Sequence, residues 1–350
     1  MASIAVLAKR PTPEMPLVGI ARLAAASPLV RERAEVEYFA LPCRSALNRE
    51  SSGRMPFAWT INPYRGCEFG CKYCYARYTH EFMEMWDGKD FEQKIYAKVE
   101  APELLRAELR QAKDKGLPIA LGTATDPYQP AEKQFEITRR MLTVFLEFEG
   151  LEFSITTKGV LVLRDLDLLR RVSARHRFSV HMTVTTHDER LARLLEPKAP
   201  PPAKRLEAVK QLSQAGIRTG VNAMPILPGL NDSEKHLDPL ARAASQAGAK
   251  FLYGNILFLT PSAMKQFMPF MEKEFPRLVK SYHRLYAHSA YLNGEYKTRM
   301  TKLLAGLRTR YGLEGNQGEP PPAAKHPQLA LPFEMLDGSA RSSELITPCG

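Results

Sequence analysis

Residues 62–82 read NPYRGCEFGCKYCYARYTHEF, a segment in which three cysteines fall within eight residues. They are Cys67, Cys71 and Cys74, with the spacing C-x3-C-x2-C. Three thiols so close together favour a soft metal or an iron–sulfur cluster. A structural zinc ion would need a fourth ligand nearby, and the nearest candidate, His80, matches the usual zinc-finger spacing poorly. The motif therefore predicts a [4Fe–4S] cluster that leaves one iron open.

The composition is typical of a soluble globular protein. Apolar residues make up 44% and charged residues 25% of the 350 residues, the ordinary balance for this class. Five cysteines are too few for a disulfide scaffold in a chain of this length. No stretch approaches the ~18 consecutive apolar residues of a membrane helix. Near the N-terminus the charges follow the first apolar run, which is the wrong order for a secretory signal. We therefore expect a cytoplasmic protein without a membrane segment.

The chain as a whole is basic. Lys and Arg number 49 against 38 Asp and Glu, for a net charge of +11. Such an excess favours a polyanionic partner, with nucleic acid as the first candidate. The alternative is an enzyme whose basic surface has no role in binding.

Short β-rich runs alternate with helical patterns through the middle of the chain. The runs that predict strands span residues 118–122, 151–157, 178–185, 216–227 and 250–259. The patterns that predict helices span residues 102–112, 132–148, 163–173, 203–214 and 234–247. Repeated strand–helix units imply a parallel sheet, because each parallel crossover needs a helix. We predict an α/β fold with a partial or complete β/α barrel, and a doubly wound open sheet is the alternative. In both, ligands bind at the carboxyl ends of the strands.

The proline distribution divides the chain into a folded middle and two arms. Eleven of the 27 prolines lie in the first 45 and the last 35 residues, where they favour extended or disordered chain. We expect a flexible N-terminal arm over residues 1–45 and a β/α core over residues 46–260. A basic helical extension follows over residues 261–312, and a disordered tail over residues 313–350.

The predicted extension combines positive charge with aromatic residues. Between residues 272 and 310 it carries nine Lys or Arg residues against three Glu. Its interleaved tyrosines are Tyr282, Tyr286, Tyr291 and Tyr296. This mixture suits a phosphate backbone and stacked bases. The alternative is a solvated helical face whose tyrosines belong to the core.

The cysteine motif at the start of a β/α barrel resembles that of the radical SAM enzymes. The surrounding segments LGTATDPYQPAE, ITTKG, LRDLDLL, LEPKAP and PILPGLND resemble the spore photoproduct lyase-like branch, also called DNA repair photolyase-like. The resemblance covers residues 46–313. It implies a partial (β/α)6 barrel with a C-terminal helical extension. It also implies an enzyme that takes electrons from a low-potential donor and cleaves S-adenosylmethionine reductively to a 5′-deoxyadenosyl radical.

The same resemblance implies roles for particular residues. Cys67, Cys71 and Cys74 would hold three irons of the cluster, and the fourth iron would bind S-adenosylmethionine. The implied cofactor contacts are the backbone of Tyr73 for the adenine, Lys158 for the carboxylate, and the polar side chains of Thr123, Thr125, Thr183, Thr185 and Asn222. Lys158 and the threonines have simpler alternatives: a surface lysine beside a helix, helix-capping for Thr123 and Thr125, and strand propensity for Thr183 and Thr185.

One departure from the family pattern limits the functional prediction. Spore photoproduct lyases return a hydrogen atom to the product from a cysteine on the second-strand side of the barrel, and residues 117–129 contain none. Only Cys43 and Cys349 remain, too few for a second four-cysteine cluster. We expect a radical SAM enzyme that acts on nucleic acid, with a lesion-repair lyase as the specific form. The alternatives are modification of a peptide or small metabolite, and a non-enzymatic metal-bearing nucleic-acid binding protein.

Overall fold

The computed structural model describes residues 16–50, 53, 55–111 and 118–315. Its strands are β1 (Leu29–Arg33), β2 (Val36–Ala40), β3 (Leu47–Arg49), β4 (Trp59–Ile61), β5 (Tyr64–Arg65), β6 (Lys94–Ala97), β7 (Ile119–Leu121), β8 (Glu152–Thr157), β9 (Arg177–Thr183), β10 (Thr219–Ile226) and β11 (Leu252–Ile256). Its α-helices are α1 (Gly19–Ala26), α2 (Tyr78–Glu81), α3 (Asp90–Gln93), α4 (Ala101–Gln111), α5 (Glu132–Phe135), α6 (Ile137–Phe145), α7 (Leu166–Arg175), α8 (Glu189–Leu195), α9 (Pro202–Gln214), α10 (Glu234–Gln246), α11 (Pro261–Glu274), α12 (Val279–Leu285) and α13 (Gly294–Tyr311). Short 3-10 helices cover Tyr75–Arg77, Val160–Asp165 and Pro276–Leu278.

The larger sheet has the strand order β11-β10-β9-β8-β7-β4-β3. Strands β4, β7, β8, β9, β10 and β11 are parallel, and β3 pairs antiparallel with β4. Because β3 and β11 are the two edges, the sheet stays open. The predicted α/β fold with a partial (β/α)6 barrel is therefore confirmed. The five predicted strands are β7 to β11, whereas β4, only three residues long, was not predicted.

Alternating side chains divide the strands into two faces. On β8 and β9, Phe153, Ile155 and Val180 belong to the main hydrophobic core with the surrounding helices. The intervening residues are polar, and Asn222 on β10 lies opposite Thr183 on β9 in the parallel register. Since side chains alternate between the faces of a strand, these polar residues face away from the helices. The sheet thus keeps one apolar face for stability and one polar face for a ligand.

The predicted helix over residues 132–148 is two helices, α5 and α6. Glu136 between them has the left-handed φ of 49°, which ends α5. The buried carboxylate of Glu132 then accepts hydrogen bonds from the backbone N–H groups of Thr138 and Arg139, at 3.0 and 3.1 Å. These donors lie in the first turn of α6, where no intrahelical acceptor is available. Apolar periodicity continues through the break, which explains why the sequence predicted one helix.

The predicted flexible N-terminal arm contains regular structure between Gly19 and Ala40. Here α1 is followed by β1 and β2, which form a second sheet of order β1-β2-β6-β5. Tyr38 and Leu41 are 2% and 1% exposed, so burial of their side chains holds the segment in place. The proline content predicted an extended chain, and the segment is indeed extended in β1 and β2, but it is paired. Residues 1–15 lie outside the described residues.

The C-terminal extension consists of α11, α12 and α13, with residues 286–293 not helical. The extension predicted over residues 261–312 is therefore helical with an interruption that the sequence analysis did not predict. Two of the predicted tyrosines are core residues: Tyr282 and Tyr286 are buried and donate hydrogen bonds to the carbonyls of Pro228 and Leu257, both at 3.0 Å. Among the described helices, none has the length and apolar character to cross a bilayer. The predicted tail from residue 316 onwards lies outside the described residues.

Candidate active site

The three predicted cluster cysteines lie in one loop between β5 and the 3-10 helix at Tyr75–Arg77. The loop begins with Gly66, whose φ is 85° and whose added Cβ would lie 2.8 Å from the carbonyl oxygen of Lys94. Only glycine avoids both the conformational strain and this close approach. Its carbonyl accepts hydrogen bonds from Thr125 Oγ1 at 2.6 Å and from Gln129 Nε2 at 3.1 Å. The loop therefore starts at a sharply turned residue that the segment after β7 holds in place.

The far side of the same loop is held by an arginine and by distant backbone. Arg77 Nη2 donates to the carbonyl of Cys71 at 3.0 Å and also pairs with Glu92 at 2.6 Å. The backbone N–H of Lys72 donates to the carbonyl of Leu195 at 2.9 Å. The loop shape is thus set by contacts on both sides before any ligand binds.

The cysteine side chains are enclosed. Cys71 is buried, and Cys67 and Cys74 are partly buried beside it, in the hydrophobic cluster that also contains residues of α11 and α12. Burial raises the pKa of Cys67 well above its ordinary value and the pKa of Cys71 to about 12. Thiolates in such surroundings need a strongly positive partner to remain ionised.

An iron–sulfur cluster fits this donor set. Among the described residues, no three His, Cys, Asp or Glu side chains converge on the position of one metal ion. A four-iron cluster does not require three side chains to converge on one position, because each cysteine binds a different iron. His80, the nearest candidate for a fourth zinc ligand, instead donates from Nε2 to the carbonyl of Lys94 at 3.0 Å. Its ring packs against Phe91 with centroids 5.2 Å apart.

A buried polar network lies beside the cysteines and centres on Glu196. Its Oε1 accepts a hydrogen bond from the hydroxyl of Tyr73, and Tyr73 Oη lies 2.9 Å from Thr185 Oγ1. Its Oε2 pairs with Arg205 Nη1 at 2.6 Å, and neither side chain is more than 1% exposed. Burial opposes ionisation of Glu196, but Arg205 and Lys158 hold its pKa below the ordinary value. Tyr73 and Thr185, both predicted as cofactor residues, are therefore brought together by a carboxylate.

The ammonium group of Lys158 lies at the edge of this network. Its Nζ is 3.9 Å from Glu196 Oε1 and 5.6 Å from the centre of the Tyr73 ring. Burial alone would lower the pKa of Lys158, but the anionic forms of Cys71 and Glu196 raise it above its ordinary value. Within the described residues, the ammonium donates no hydrogen bond to another side chain or carbonyl at normal distance. It is thus a half-buried cation whose single ion pair is long and leaves its donors available to a ligand.

Thr183 and Asn222 lie together on the polar face of the sheet. They are opposite each other in the β9–β10 register and each is 5% exposed. Asn222 Oδ1 is buried and has no hydrogen-bond partner among the described residues. A buried acceptor without a partner is costly, so this oxygen is available to a ligand hydroxyl.

Thr123 and Thr125 follow β7 and have different surroundings. Thr123 Oγ1 accepts a hydrogen bond from Asn62 Nδ2 at 3.1 Å at the rim of the site. Thr125 is buried and uses its hydroxyl to hold the carbonyl of Gly66. The structure therefore places Thr125 behind the cluster loop and Thr123 beside its opening. Neither acts as the predicted helix cap, since their hydroxyls bond Asn62 and Gly66.

Several residues of the site have no predicted role from the sequence. They are Arg77, Asp126, Gln129, Glu196 and Arg205. Asp126 accepts hydrogen bonds from Thr157 Oγ1 at 2.6 Å and from the backbone N–H of Lys158 at 2.7 Å. These contacts fix the backbone position from which the Lys158 side chain extends. The sequence signal for Glu196 was the LEPKAP segment. That segment contributed to the family resemblance, but the sequence assigned no role to Glu196 itself. Cys43 is half-buried against the main core, and burial raises its pKa.

The family model described as the radical SAM superfamily matches residues 61–239, about half of the chain. Among curated proteins, uncharacterised proteins of Mycobacterium tuberculosis and Mycobacterium bovis are 36% identical over 281 residues, which cover 80% of this chain and 82% of theirs. An uncharacterised protein of Methanocaldococcus jannaschii is 31% identical over 218 residues, covering 62% of this chain and 76% of that protein.

Among solved structures, spore photoproduct lyase complexed with dinucleoside spore photoproduct is similar with a TM-score of 0.58 and 15% identity, covering 78% of this chain and 79% of that one. At this identity the likeness concerns the fold alone. The family model carries the assignment further, because residues 61–239 contain the three cysteines, and the mycobacterial relatives match four fifths of the chain. The chain belongs to the radical SAM superfamily, and it is an enzyme whose cofactors are a [4Fe–4S] cluster and S-adenosylmethionine.

Proposed function

We propose that this enzyme cleaves S-adenosylmethionine reductively and directs the resulting 5′-deoxyadenosyl radical at a nucleic acid substrate. The cluster, reduced by a low-potential donor, supplies the electron for that cleavage. The chain itself holds and orients the cofactors and excludes water from them. A DNA-lesion lyase is the specific form of this proposal.

In this proposal the cysteines Cys67, Cys71 and Cys74 bind three irons. Lys158 pairs with the carboxylate of S-adenosylmethionine, and Thr183 and Asn222 bind its ribose. The backbone at Tyr73 contacts the adenine, and Thr123, Thr125 and Thr185 supply or support polar contacts around it. The hydroxyls of Tyr73, Thr125 and Thr185 already have protein partners, so we assign these three side chains to positioning.

The observation that carries the cofactor assignment is the state of Lys158. Its side chain is 17% exposed, and its Nζ lies 3.9 Å from Glu196 Oε1, a carboxylate that Arg205 already neutralises. A half-buried ammonium with only this long ion pair has hydrogen-bond donors that a ligand carboxylate can use. The carboxylate of S-adenosylmethionine is an anion of suitable chemistry.

The support for nucleic acid is electrostatic. In the C-terminal extension, exposed cations without a carboxylate partner among the described residues are Arg277, Lys280, Arg284, Lys297 and Lys302. Unpaired surface cations on one extension suit a phosphate backbone. Spore photoproduct lyase, whose fold is similar, has been solved with a dinucleoside spore photoproduct, which adds an analogy at the level of fold.

The proposal is tested with the anaerobically reconstituted enzyme. Dithionite and S-adenosylmethionine are added, and 5′-deoxyadenosine is measured with and without DNA that carries ultraviolet lesions. We expect deoxyadenosine from the wild type, none from Cys71→Ala, and a rise when lesion DNA is present. Repair of the lesion, measured by chromatography of the digested DNA, would identify the lyase reaction.

The remaining outcomes separate the alternatives. Cleavage of S-adenosylmethionine that is indifferent to every nucleic acid would favour a peptide or small metabolite as substrate. An intact cluster without any cleavage would contradict the radical reaction. The remaining interpretation would then be a non-enzymatic, metal-bearing nucleic-acid binding protein.

A further inference from the structure

The exposed aromatic side chains of the described residues are concentrated near the cluster loop and the extension. The large ones are Tyr75, Phe82, Trp86 and Tyr291. Three belong to the segment that directly follows Cys74, and the fourth lies in the loop between α12 and α13. Large exposed aromatic rings forgo the free energy of burial, so a cluster of them at an enzyme site indicates a binding surface.

Tyr75 and Tyr291 both pack against Phe258. The rings of Phe258 and Tyr291 are stacked, with centroids 4.3 Å apart and an interplanar angle of 23°. The Tyr75 ring lies 6.0 Å from that of Phe258 at 54°. Tyr75 is 38% and Tyr291 47% exposed. We call these three residues the aromatic platform.

The platform lies at the carboxyl ends of the parallel strands, between the segments that follow β7 and β11. The Tyr75 hydroxyl donates to the carbonyl of Thr123, two residues beyond β7. Phe258 stands two residues beyond β11, the last strand. The loop that carries Tyr291 is held there by the backbone hydrogen bond from Leu259 to Ala290, at 3.0 Å. A ligand that lies on these rings is therefore next to Cys74 and at the edge of the strand-end cleft.

The chain that flanks the Tyr291 loop is basic on balance. Arg284 and Lys297 lie on either side of the loop in sequence and are exposed without a carboxylate partner among the described residues, against one exposed carboxylate, Glu295. Every nucleobase has a flat π-face that stacks on an aromatic ring, and the phosphates of the strand that carries it attract such cations. In a duplex both faces of a base are already covered, so only an unpaired or extruded base could stack here.

We propose that the aromatic platform is a stacking subsite for one unpaired nucleobase of a single-stranded nucleic acid, with Tyr291 as its outer ring. This inference rests on the nucleic acid substrate proposed above and adds the form in which that substrate binds. The other four tyrosines of the extension do not take part. Tyr282 and Tyr286 are buried, the Tyr296 ring is covered by the Arg299 guanidinium at 5.0 Å, and Tyr311 ends α13, where it donates to Asp238 Oδ1 at 2.8 Å.

The test uses the reconstituted holoenzyme and short thymidine and uridine oligonucleotides that contain one 2-aminopurine, whose fluorescence is quenched by stacking. We expect the wild type to bind and quench. Tyr291→Leu should weaken binding by about 5- to 150-fold, the range for loss of one base–aromatic stack, and remove the quenching. Tyr291→Phe should keep both. The DNA and RNA oligonucleotides distinguish which nucleic acid is preferred.

The matched control is Phe39→Leu. Phe39 is a half-buried ring stacked on Tyr96 with centroids 4.9 Å apart at 17°, in the N-terminal sheet, and its loss should leave binding unchanged. Iron content and circular dichroism verify that each variant folds. If Tyr291→Leu does not fold, Phe258→Leu is used in its place. Wild-type affinity and quenching in Tyr291→Leu and Phe258→Leu would overturn the subsite while leaving the nucleic acid substrate in place. If the wild type binds no oligonucleotide, both proposals fail.

Discussion

Glu196 and Arg205 form an ion pair of 2.6 Å between Oε2 and Nη1 in which both side chains are almost fully buried. Arg205 also donates to the carbonyls of Pro200 and Thr183, at 2.6 and 3.2 Å. Glu196 in turn accepts from Tyr73 on the cluster loop. The pair therefore connects the loop, the end of β9 and the start of α9, the three segments around the proposed cofactor carboxylate.

Replacement of Glu196 by glutamine leaves the Arg205 guanidinium buried without its counter-ion. Loss of one partner of a buried pair costs ~3–5 kcal/mol, so we expect a decrease of that size in the free energy of unfolding. Urea denaturation of the cluster-free protein measures it. The control is Glu314→Gln, which breaks an exposed pair of equal length with Arg218 and should cost under about 1 kcal/mol. Equal losses in the two variants would contradict the structural role of the buried pair.

Replacement of Cys71 by alanine removes one of the three proposed iron ligands. We expect the reconstituted variant to lose most of its iron and its iron–sulfur absorbance, because two cysteines do not retain a [4Fe–4S] cluster. Cys43→Ala is the matched control, since Cys43 lies against the main core outside the loop. Iron and sulfide analysis per chain distinguishes them. A normal iron content in Cys71→Ala, or its loss in Cys43→Ala, would refute the ligand assignment.

Replacement of Lys158 by methionine keeps the length of the buried side chain and removes its charge. We expect the affinity for S-adenosylmethionine to fall by about 10- to 150-fold, the equivalent of one charged hydrogen bond. Equilibrium dialysis with labelled cofactor, without reductant, measures binding apart from cleavage. The exposed Lys198 provides the control, Lys198→Met, which should bind normally. Unchanged affinity in Lys158→Met with normal iron content would remove this lysine from the site.

The buried His80 makes stability depend on pH. Burial lowers its pKa from 6.5 to about 4, so between these values the unfolded chain binds more protons than the folded one. Stability is therefore lost as the pH falls from 6.5 towards 4, by roughly 3 kcal/mol for this group at the lower limit. His80→Gln keeps a donor for the Lys94 carbonyl without titrating. Urea unfolding at neutral pH and near pH 5 should show a smaller decrease in this variant than in the wild type and in the exposed-site control, His187→Gln. A parallel decrease in all three would exclude His80 as the source.

Exposed lysines of α13 should contribute to the salt dependence of nucleic acid binding. Lys297→Gln combined with Lys302→Gln should reduce the slope of log K against log salt by about 2, roughly one unit per lost phosphate contact. Arg299 is less suitable, because it already lies 3.6 Å from Asp232 Oδ2. Lys204→Gln combined with Lys210→Gln on α9 makes the same change in net charge. An equal change of slope in both double variants would mean that only net charge matters.

Local patterns predicted the parts of this protein that depend on neighbouring residues. The cysteine spacing and the alternation of strands and helices are such patterns, and the strands β7 to β11 were found where they were expected. Glu196 and Arg205 form their network only after the end of β9 and the cluster loop come together, and no local pattern marks that meeting. The tyrosines of the extension are a similar case: Tyr282 and Tyr291 lie in the same basic, tyrosine-rich segment, yet one is core and the other surface.

The backbone hydrogen bonds from the cluster loop to distant residues have a consequence for biosynthesis. Lys72 donates to Leu195, and Lys198 donates to Phe69 at 3.3 Å, while Tyr73 and Glu196 are 123 positions apart. Contacts this far apart in sequence form late, because the intervening chain must first be ordered. A growing chain that ends before Lys198 carries all three cysteines without the partners that shape their loop. Cluster loading is therefore expected to follow release of the barrel from the ribosome, when the delivery machinery meets a loop that is already formed.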